Sequence, residues 1–495
     1  MNFNELLIAC DPVDVSGSLE GELNGQIVHD SRQVSSNDVF VAIRGNVTDG
    51  HRFIDDALGK GASVIIAEEP APGNTGNAIW IHVKDSRKVL MPLALASLGN
   101  PQEDLVLVAI TGTNGKTTVA TLVYQVLSQL GYNASLLGTV SRRIGKTELP
   151  SKLTTADPVE MAADLKEMVE AGSTHLVMEV SSHALDQQRV NGLRFDVAGF
   201  TNLTHDHLDY HGSIENYLNA KKILFDGLEP RATAVINSDD PSADVMVEDT
   251  RATIWEVSFK NDSVFRILSN TPDGLELDLD GTYVNSSLSG VFNAYNIAMA
   301  YLVCLALGCN KNSVASALSE ARGAAGRMEK VQIYSSVSMP VVIVDYAHTP
   351  DALENVLKTL SAIKSGQHRI HVIFGCGGDR DKAKRPVMGG LAETYGDVVT
   401  ITSDNPRFED PLAIIEDIKK GFNDPARAII EPDRREAIRR AIENSDENTI
   451  ILIAGKGHET YQEIRGERHD MDDRMLARSA MLNKSLNIKN RGEVN

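Results

Sequence analysis

The sequence predicts an α/β protein with parallel sheets, and three observations lead to that prediction. Short, continuous apolar runs recur along the chain and stop at polar residues, as buried parallel strands do. A Gly-rich turn follows one of these runs and leads into an amphipathic helix. The chain has 495 residues, too many for one ordinary core, so we expect several domains.

The composition is that of a globular protein, with 42% hydrophobic and 23% charged residues. The formal net charge of −20 disfavours nucleic acid as a partner, because phosphate backbones bind basic surfaces. The four cysteines match neither a zinc ribbon nor a disulfide framework. No basic, apolar leader opens the sequence, and no run reaches the length of a membrane span. We therefore expect a cytoplasmic protein with reduced thiols and no membrane insertion.

The first hundred residues are expected to form a small α/β domain. Val39–Ile43, Ala62–Ala67 and Ile79–Val83 have the pattern of strands, with a helix expected between the first two. The stretch 99–104, GNPQED, is typical of a linker.

The central region contains a phosphate-binding pattern. The apolar run Leu105–Ile110 predicts a buried strand, and the helix after the turn has an apolar face that ends near Gly131. Backbone N–H groups of such a turn bind phosphate oxygens, while a lysine serves the outer phosphates and a hydroxyl can ligate Mg²⁺. The residues expected to bind ATP phosphates are Gly112, Thr113, Asn114, Gly115, Lys116, Thr117 and Thr118. The close spacing of the two glycines disfavours an ordinary GTPase or small-molecule kinase.

Acidic residues and histidines follow two further predicted strands, His175–Val180 and Val197–Phe200. Glu179 lies at the end of the first strand, and the segment 201–211, TNLTHDHLDYH, follows the second. A zinc site is disfavoured because no thiolate or HExxH helix accompanies the cluster. Oxygen ligands for Mg²⁺ suit a neighbouring phosphate loop better, although any single histidine here fits a hydrogen-bonded turn equally well.

The last third begins near residue 335 and contains four strand candidates that each run into a polar cluster. They are Val341–Val344 before DYAHTPD, Ile370–Phe374 before GCGGDRDK, Val398–Ile401 before SDNPR, and Ile450–Ile453 before AGKGHE. Thr349 and Pro350 predict the start of a helix. Ligands bind at the carboxyl ends of strands in open parallel sheets, so we expect the four clusters to line one crevice.

Seven motifs in order along nearly the whole chain resemble those of the Mur ligase family: GTNGKTT, EVSSHALDQQR, TNLTHDHLDYHG, GVFNAYN, GRMEKV, DYAHTPD and DNPR. The resemblance implies three domains: an N-terminal UDP-binding α/β domain (1–103), a central ATPase domain with a phosphate loop and a parallel sheet (104–334), and a Rossmann-like C-terminal domain that binds the incoming amino acid (335–495). It also implies an ATP-dependent, ADP-forming C–N ligase of peptidoglycan synthesis. The expected reaction adds meso-2,6-diaminopimelate to UDP-N-acetylmuramoyl-L-alanyl-D-glutamate through an acyl phosphate.

The resemblance further implies the roles of individual residues. Catalytic roles fall to Lys116, Glu179, His207 and Lys221, and the ligands of Mg²⁺ would be Thr117, Glu179, His207 and Lys221. The matching lysine of the family is carbamylated by CO₂, so Lys221 is expected to carry a carbamate, although the residues alone leave Lys222 as an alternative. The UDP-muramoyl dipeptide would contact Ser31, Asn46, Val47, Thr48, Thr154, Thr155, Ser181, Gln187 and Arg189. Ala156 stands where the family often has proline.

The C-terminal motifs imply the remaining contacts. ATP would also meet Asn293, Asn296, Arg327, Asp345 and His348, and diaminopimelate would meet Arg380, Asp404, Asn405, Pro406, Arg407, Gly455 and Glu459. An arginine suits the extra carboxylate that distinguishes diaminopimelate from lysine, and Glu459 suits the distal ammonium. Phe408 replaces the small polar residue common after DNPR.

Other functions stay open beside this one. A lysine-adding ligase of the same family is the first alternative, and Arg407 argues against it. A phosphate-loop kinase or ATPase would explain 112–118 but leave the four C-terminal clusters without a role. A folate- or cyanophycin-type ligase would lack the UDP-binding domain and DNPR, and a non-catalytic binding protein would not need the catalytic residues. We expect a monomer that acts on small molecules.

Overall fold

The computed structural model describes residues 1–18, 23–45, 48–73, 75–260 and 263–492. These residues form two compact units, Met1–Ser258 with Met299–Val314, and Phe259–Ala298 with Ala315–Asn495. The domain boundaries expected at 103/104 and 334/335 stay predictions. Among the described residues, no helix combines the length and the apolar character needed to cross a bilayer.

The first unit begins with a small sheet in which four strands are parallel and β1 is antiparallel. The strand order is β1-β5-β4-β3-β2. The strands are β1 (Asp14–Ser16), β2 (Ile27–Val28), β3 (Val39–Val41), β4 (Val64–Ala67) and β5 (Ile79–His82), and the helices are α1 (Phe3–Cys10), α2 (Ile54–Gly59) and α3 (Ser86–Ser97). The three predicted strands and the helix between the first two of them are confirmed.

The segment 99–104, expected to be a linker, packs as a 3₁₀ turn (Pro101–Asp104) instead of a free connection. Pro101 and Gln102 are buried, and the Gln102 amide donates to the carbonyl of Gly192 at 3.1 Å. Gln102 Oε1 also accepts the N–H of Arg194 at 3.1 Å. The polar segment is therefore ordered because the side-chain amide of Gln102 satisfies two backbone groups of the neighbouring sheet domain.

The larger sheet of the first unit has the order β13-β12-β11-β6-β10-β7-β8-β9, with the β7–β8 and β8–β9 pairs antiparallel and the other pairs parallel. Its strands are β6 (Val106–Thr111), β7 (Ala134–Leu137), β8 (Ser141–Ile144), β9 (Thr147–Pro150), β10 (His175–Glu179), β11 (Val197–Phe200), β12 (Thr233–Asn237) and β13 (Thr253–Val257). The helices are α4 (Lys116–Gln129), α5 (Pro158–Glu170), α6 (Ser182–Asp186), α7 (Leu208–His211), α8 (Ile214–Asp226) and α9 (Ala243–Met246). Strands β6, β10 and β11 lie side by side, so the residues that follow them share one sheet edge.

The apolar pattern explains why α4 packs where it does. Val119, Leu122, Val123, Val126 and Leu127 are fully buried, as their helical spacing predicts. The helix ends at Gln129, and Gly131 follows with a φ of +88°, a backbone conformation that glycine tolerates best.

The second unit contains a three-stranded antiparallel sheet of β14 (Phe265–Thr271), β15 (Gly274–Leu279) and β16 (Thr282–Ser286). Helices α10 (Val291–Ala306) and α11 (Lys311–Glu320) follow it, and each contributes residues to both units. The sequence expectations included no strand here.

The last sheet has the order β17-β18-β22-β19-β20-β21, with only β17 antiparallel. Its strands are β17 (Glu329–Lys330), β18 (Val341–Asp345), β19 (Arg369–Phe374), β20 (Val398–Ile401), β21 (Ala428–Ile430) and β22 (Thr449–Ala454), and a hairpin of β23 (Tyr461–Ile464) and β24 (Glu467–Asp470) follows. The helices are α12 (Pro350–Ile363), α13 (Lys384–Tyr395), α14 (Pro411–Lys419), α15 (Arg434–Asn444) and α16 (Asp473–Gly492). The four predicted strands are confirmed, and α12 begins at Pro350 with the Thr349 side chain as its N-cap.

Candidate active site

The loop between β6 and α4 has the geometry of an anion cradle. Gly112 and Gly115 adopt φ values of +141° and +90°, a backbone conformation that residues other than glycine rarely adopt. A Cβ atom on Gly112 would lie 1.9 Å from Thr201 Oγ1, so only glycine fits there. Asn202 braces the loop, because its Oδ1 accepts the Asn114 N–H at 2.9 Å. The N-terminus of α4 therefore borders a rigid turn, as phosphate binding requires.

Lys116 adds a cation to this cradle. Its Nζ donates to the carbonyls of Gly112 and Thr113, each at 2.8 Å, which places the ammonium over the loop. The neighbouring hydroxyl of Thr117 donates to Glu179 Oε2 at 2.8 Å. The loop residues expected from the sequence are thus brought together by local backbone geometry.

Glu179 is a buried carboxylate beside the loop. It ends β10, which pairs with β6 so that Glu179 lies opposite Ile110. Besides the Thr117 hydroxyl, it accepts the Thr139 N–H at 2.6 Å and the Thr139 hydroxyl at 3.1 Å. Only 1% of the residue is exposed, and these donors are neutral. A buried anion with neutral partners next to a phosphate cradle fits a divalent cation with oxygen ligands.

Lys221 is buried in the same cradle, with 1% of the residue exposed. Its Nζ donates to the carbonyl of Gly112 at 2.9 Å and lies 4.5 Å from the centre of the Tyr217 ring. Burial, with the charge of Lys116 nearby, holds the pKa of Lys221 well below its ordinary value. Lys222 points elsewhere and pairs with Asp226 and Asp249. The structure therefore shows which of the two adjacent lysines lies at the phosphate loop, a choice that the sequence left open.

His207 lies among other aromatic rings. It has a left-handed backbone, and its side chain is 48% exposed. Its ring centre is 4.9 Å from that of His183 and 6.1 Å from that of Tyr217. Within the described ranges, no three His, Cys, Asp or Glu side chains converge as a preformed metal site. Of the four ligands expected for Mg²⁺, only Thr117 and Glu179 contact each other directly.

The residues expected to hold the muramoyl peptide form a chain of contacts leading from Glu179. The Thr155 hydroxyl donates to the Glu179 carbonyl at 2.9 Å and accepts the Ser181 N–H at 3.0 Å. Arg189 donates to the Thr155 carbonyl at 3.0 Å and to the Gln187 side chain at 2.6 Å. These contacts place one guanidinium and several hydroxyls at the sheet edge that carries the phosphate loop.

Thr154 joins the same chain through a residue that the sequence did not single out. The Thr139 hydroxyl, which donates to Glu179, lies 3.1 Å from the Thr154 hydroxyl. Ala156, at the position where the family often has proline, is half-buried and packs against the apolar core of the sheet domain.

The N-terminal residues are only partly described. Ser31 is buried at the start of a 3₁₀ turn, and its carbonyl accepts the Lys60 ammonium at 2.8 Å. The Thr48 carbonyl accepts the Gly45 N–H at 3.0 Å. Asn46 and Val47 lie outside the described residues.

In the second unit, the four polar clusters meet at one edge of the last sheet, as expected. The Gly455 N–H donates to the Asp345 carbonyl at 3.1 Å, which joins the clusters after β22 and β18. The Gly378 N–H donates to the Asn405 carbonyl at 2.9 Å, which joins those after β19 and β20. Arg434 lies beneath this edge, where it pairs with Asp473 at 2.7 Å and donates to the Ala454 carbonyl at 2.9 Å.

The expected nucleotide contacts of this unit fall into two groups. Asp345 is buried and accepts the N–H groups of Met328 and Ala347 at 2.7 and 2.8 Å, and Arg327 stacks over Tyr346 at 4.8 Å. His348 is exposed, and its Nδ1 lies 2.9 Å from the Tyr346 carbonyl.

Asn293 and Asn296 form the second group, at the start of α10. The Asn293 amide donates to the Ser289 carbonyl at 2.8 Å, and the Asn296 amide donates to Asn293 Oδ1 at 3.0 Å. The role of these residues in ATP binding stays a prediction.

The DNPR segment places charges around the crevice. Arg407 has a φ of +50°, and its backbone is fixed by bonds to Glu463 at 3.0 Å and Arg465 at 2.7 Å. Its guanidinium donates to the Gly378 carbonyl at 2.7 Å and lies 3.5 Å from the Glu463 carboxylate. A non-glycine residue held in this conformation indicates that the surrounding contacts outweigh the strain.

The other residues expected to bind diaminopimelate lie around the same crevice. The Asn405 amide donates to Glu459 Oε2 at 2.9 Å, and Asp404 is buried against Gly455, where a Cβ would come within 2.6 Å of Asp404 Oδ2. The carbonyl of Pro406 lies against Gly378, whereas the side chain of Arg380 is exposed at the rim. Phe408 is 73% exposed.

Sequence reasoning missed Thr139, Tyr217 and Lys456. The Tyr217 hydroxyl lies 3.1 Å from Thr113 Oγ1, and Lys456 donates to Asn405 and Glu459. Lys456 lies within the AGKGHE cluster, so its charge in a strand-end motif was a signal that could have found it. Thr139 and Tyr217 carry no comparable signal, because they reach the site only through the fold.

A phosphate cradle at one sheet edge and a charged crevice at another define a nucleotide-using α/β enzyme. Family models match three consecutive regions: the Mur ligase family catalytic domain over residues 25–97, the Mur ligase middle domain over 110–304, and the Mur ligase glutamate ligase domain over 326–457.

Relatives named UDP-N-acetylmuramoyl-L-alanyl-D-glutamate–2,6-diaminopimelate ligase extend this match. The protein of that name from Cytophaga hutchinsonii is 43% identical over 97% of this chain and 99% of its own, and that from Geobacillus kaustophilus is 41% identical over 91% and 94%. A solved structure of a ligase of the same name superposes with a TM-score of 0.72 at 33% identity, covering 98% of this chain and 99% of the other. The chain belongs to the Mur ligase family. It is therefore an ATP-dependent, ADP-forming ligase, the activity of this family, whose members use ATP and generally Mg²⁺.

Proposed function

We propose that this chain adds meso-2,6-diaminopimelate to UDP-N-acetylmuramoyl-L-alanyl-D-glutamate during peptidoglycan synthesis, in the cytoplasm. Relatives that match nearly its whole length carry the name of this activity. The observation in this chain that carries the proposal is the guanidinium of Arg407, held at the crevice by the Gly378 carbonyl at 2.7 Å. A fixed guanidinium offers paired donors to the distal carboxylate that diaminopimelate has and lysine lacks.

The chemistry requires activation of a carboxylate, which is a poor acyl donor at neutral pH. The γ-phosphoryl group of ATP passes to the D-glutamate γ-carboxylate, giving an acyl phosphate and ADP. The neutral amine of diaminopimelate then attacks the acyl carbon, phosphate leaves, and the nitrogen loses one proton as the amide forms. Release of phosphate that contains a labelled oxygen from the carboxylate tests this order, since direct attack by the amine would leave that oxygen in water or substrate.

Residues of the first unit supply charge and position in the phosphoryl transfer. Lys116 and the N–H groups at the start of α4 neutralise and orient phosphate oxygens. Thr117 and Glu179 would hold Mg²⁺, which neutralises phosphate charge when bound. Thr155 and Arg189 orient the muramoyl peptide through the same sheet edge.

The test of substrate identity is ADP release in the presence of UDP-muramoyl dipeptide with either meso-diaminopimelate or L-lysine. Diaminopimelate should support turnover and lysine should not, and Arg407→Ala should remove most of that preference. The matched control is Arg439→Ala, which removes an exposed arginine from α15. Equal use of lysine by the unaltered chain would refute the specificity while leaving the ligase activity.

A phosphate-loop ATPase without an amino-acid substrate is the other function class. It would release ADP without dipeptide and amino acid, whereas the ligase needs both. The joined strand-end clusters of the second unit favour the ligase, because an ATPase has no use for the pocket around Arg407 and Glu459.

We also propose that Lys221 reacts with CO₂ to form a carbamate. Its buried amine, whose pKa is low, is available in the neutral form that attacks CO₂, and loss of a proton leaves an anionic carboxylate group attached to Nζ. The carbamate would lie near the Gly112 carbonyl, next to the loop residues Lys116 and Thr117. Carbamylation would thus turn a buried amine near phosphates into an oxygen ligand for Mg²⁺.

The carbamate is tested with ¹³C-bicarbonate and carbon NMR of the intact protein. A carbamate resonance should appear in the unaltered chain and in Lys222→Ala, and should be missing from Lys221→Ala. Activity should fall in bicarbonate-free buffer for the first two proteins alike. A resonance that persists in Lys221→Ala would assign the modification to another residue.

A further inference from the structure

Lys456 is a completely buried lysine at the floor of the charged crevice, with 0% of its surface exposed. It follows β22, and its Nζ donates to Glu459 Oε2 at 2.8 Å and to Asn405 Oδ1 at 3.0 Å. The ammonium also lies 5.3 Å from the centre of the Tyr461 ring. Burying an ammonium is costly unless it is paired and hydrogen-bonded, so these contacts constrain the positions of both partners.

The two partners of Lys456 are also bonded to each other. The Asn405 amide donates to Glu459 Oε2 at 2.9 Å, so that single oxygen accepts two hydrogen bonds. Asn405 Oδ1 accepts both Lys456 and the N–H of Glu463 at 2.9 Å. The side chains of Asn405 and Glu459 are therefore fixed in rotation, and the second oxygen of Glu459 is the one left to meet a ligand.

We propose that Lys456 is the positioning residue that sets the geometry and charge of the pocket for the distal end of the amino-acid substrate. This proposal rests on the proposed function and deepens it. Lys456 cannot touch a substrate, because it is fully buried, and it acts through Glu459 and Asn405.

The charge of Lys456 has a consequence for selectivity. The distal end of diaminopimelate carries an ammonium and a carboxylate and is neutral overall, whereas the end of lysine carries one positive charge. Lys456 partly offsets the negative charge of the Glu459 carboxylate. A lysine substrate would depend on that negative charge to hold its distal ammonium. Selection against lysine then has two sources: Arg407 attracts the carboxylate, and Lys456 lowers the attraction for an unaccompanied ammonium.

The test is steady-state kinetics of the full chain with Lys456→Met. The KM for diaminopimelate should rise roughly tenfold or more, while kcat and the KM values for ATP and the dipeptide change by less than about threefold. The ratio of kcat/KM for diaminopimelate to that for L-lysine should fall by about tenfold. Lys364→Met, which removes a partly exposed lysine paired with Asp397, is the charge-matched control and should leave these values unchanged.

A double variant separates positioning from a general loss of packing. If Lys456 acts through Glu459, then Lys456→Met/Glu459→Gln should have the same KM for diaminopimelate as Glu459→Gln alone. Independent effects would multiply instead and would overturn the proposal, as would a Lys456→Met variant with unchanged KM or with equal losses for all three substrates. If Lys456→Met does not fold, Lys456→Gln keeps a donor and receives the same measurements and criteria.

The unaltered chain separates this proposal from the proposed function. If it prefers lysine, the assignment to diaminopimelate fails, and the KM of Lys456→Met for lysine still decides the positioning role. If it forms no amide with either amino acid, both proposals are overturned.

Discussion

The ion pair between Arg434 and Asp473 beneath the crevice allows a sharp test of what holds the second unit together. Both side chains are 0% exposed, and Arg434 donates to Asp473 at 2.9 and 2.7 Å. The same guanidinium donates to the Ala454 carbonyl, directly before Gly455. We expect Asp473→Leu to leave a buried, uncompensated charge and to lower the free energy of unfolding of this unit by about 3–5 kcal/mol.

The magnitude translates into a measurable shift. For a unit of this size, about 3–5 kcal/mol corresponds to a fall of roughly 6–20 °C in the midpoint of its thermal transition. Differential scanning calorimetry should show this fall in one transition and little change in any other. The KM for diaminopimelate should rise as well, because the strand end that carries Gly455 loses its support.

Two control variants identify the cause. Arg439→Ala removes an exposed pair with Glu436 and should cost less than about 1 kcal/mol. Arg434→Met/Asp473→Leu removes both charges and should be more stable than Asp473→Leu alone, since no lone charge stays buried. A double variant less stable than the single one would refute this reasoning, because the pair would then contribute through packing and not through charge compensation.

Three further predictions concern the phosphate loop and the second sheet. Glu179→Gln should reduce ADP formation by at least about 100-fold with unchanged melting, and retention of activity would rule out a metal-binding role. Gly112→Ala should abolish nucleotide binding and destabilise the fold by about 1–3 kcal/mol, because its Cβ would meet Thr201, whereas Gly131→Ala has open space and should bind normally in a titration with ADP. Burial lowers the pKa of His371 to about 4, so the unfolded chain takes up this proton before the folded chain does as the pH falls. The free energy of unfolding should therefore decline by about 2–3 kcal/mol between pH 6.5 and pH 4. His371→Gln should flatten that decline in chemical denaturation followed by circular dichroism, and an identical pH profile would contradict the assignment.

Local patterns were sufficient to predict the strands and the phosphate loop. Val341–Asp345 and the runs like it are buried on both faces of a parallel sheet, so a continuous apolar sequence is their direct signature. The turn at Gly112 and Gly115 is equally local, because its conformation requires glycine. Helix starts such as Pro350 follow from capping by neighbours in sequence.

Other features could not be found from local patterns. The residues of the antiparallel sheet β14–β16 alternate between buried and exposed, as in β16, so the sheet lacks long apolar runs. Its strands were therefore not predicted from the sequence. The packed turn at Gln102 depends on Gly192 and Arg194, which are distant in sequence. The metal set expected from the family stays a prediction, since His207 lies among aromatic rings while Thr117 and Glu179 contact each other.

The sequence by itself determined the family, the phosphate loop and the identity of the charged residues in each strand-end cluster. Only the tertiary structure decided that Lys221 and not Lys222 enters the cradle, that Thr139 links Glu179 to Thr154, and that Lys456 lies beneath Asn405 and Glu459. The physical reason is that burial and hydrogen-bond partners depend on which strands are neighbours in a sheet. Strand order brings together residues that are far apart in the chain, and no spacing of residues along the sequence encodes that order directly.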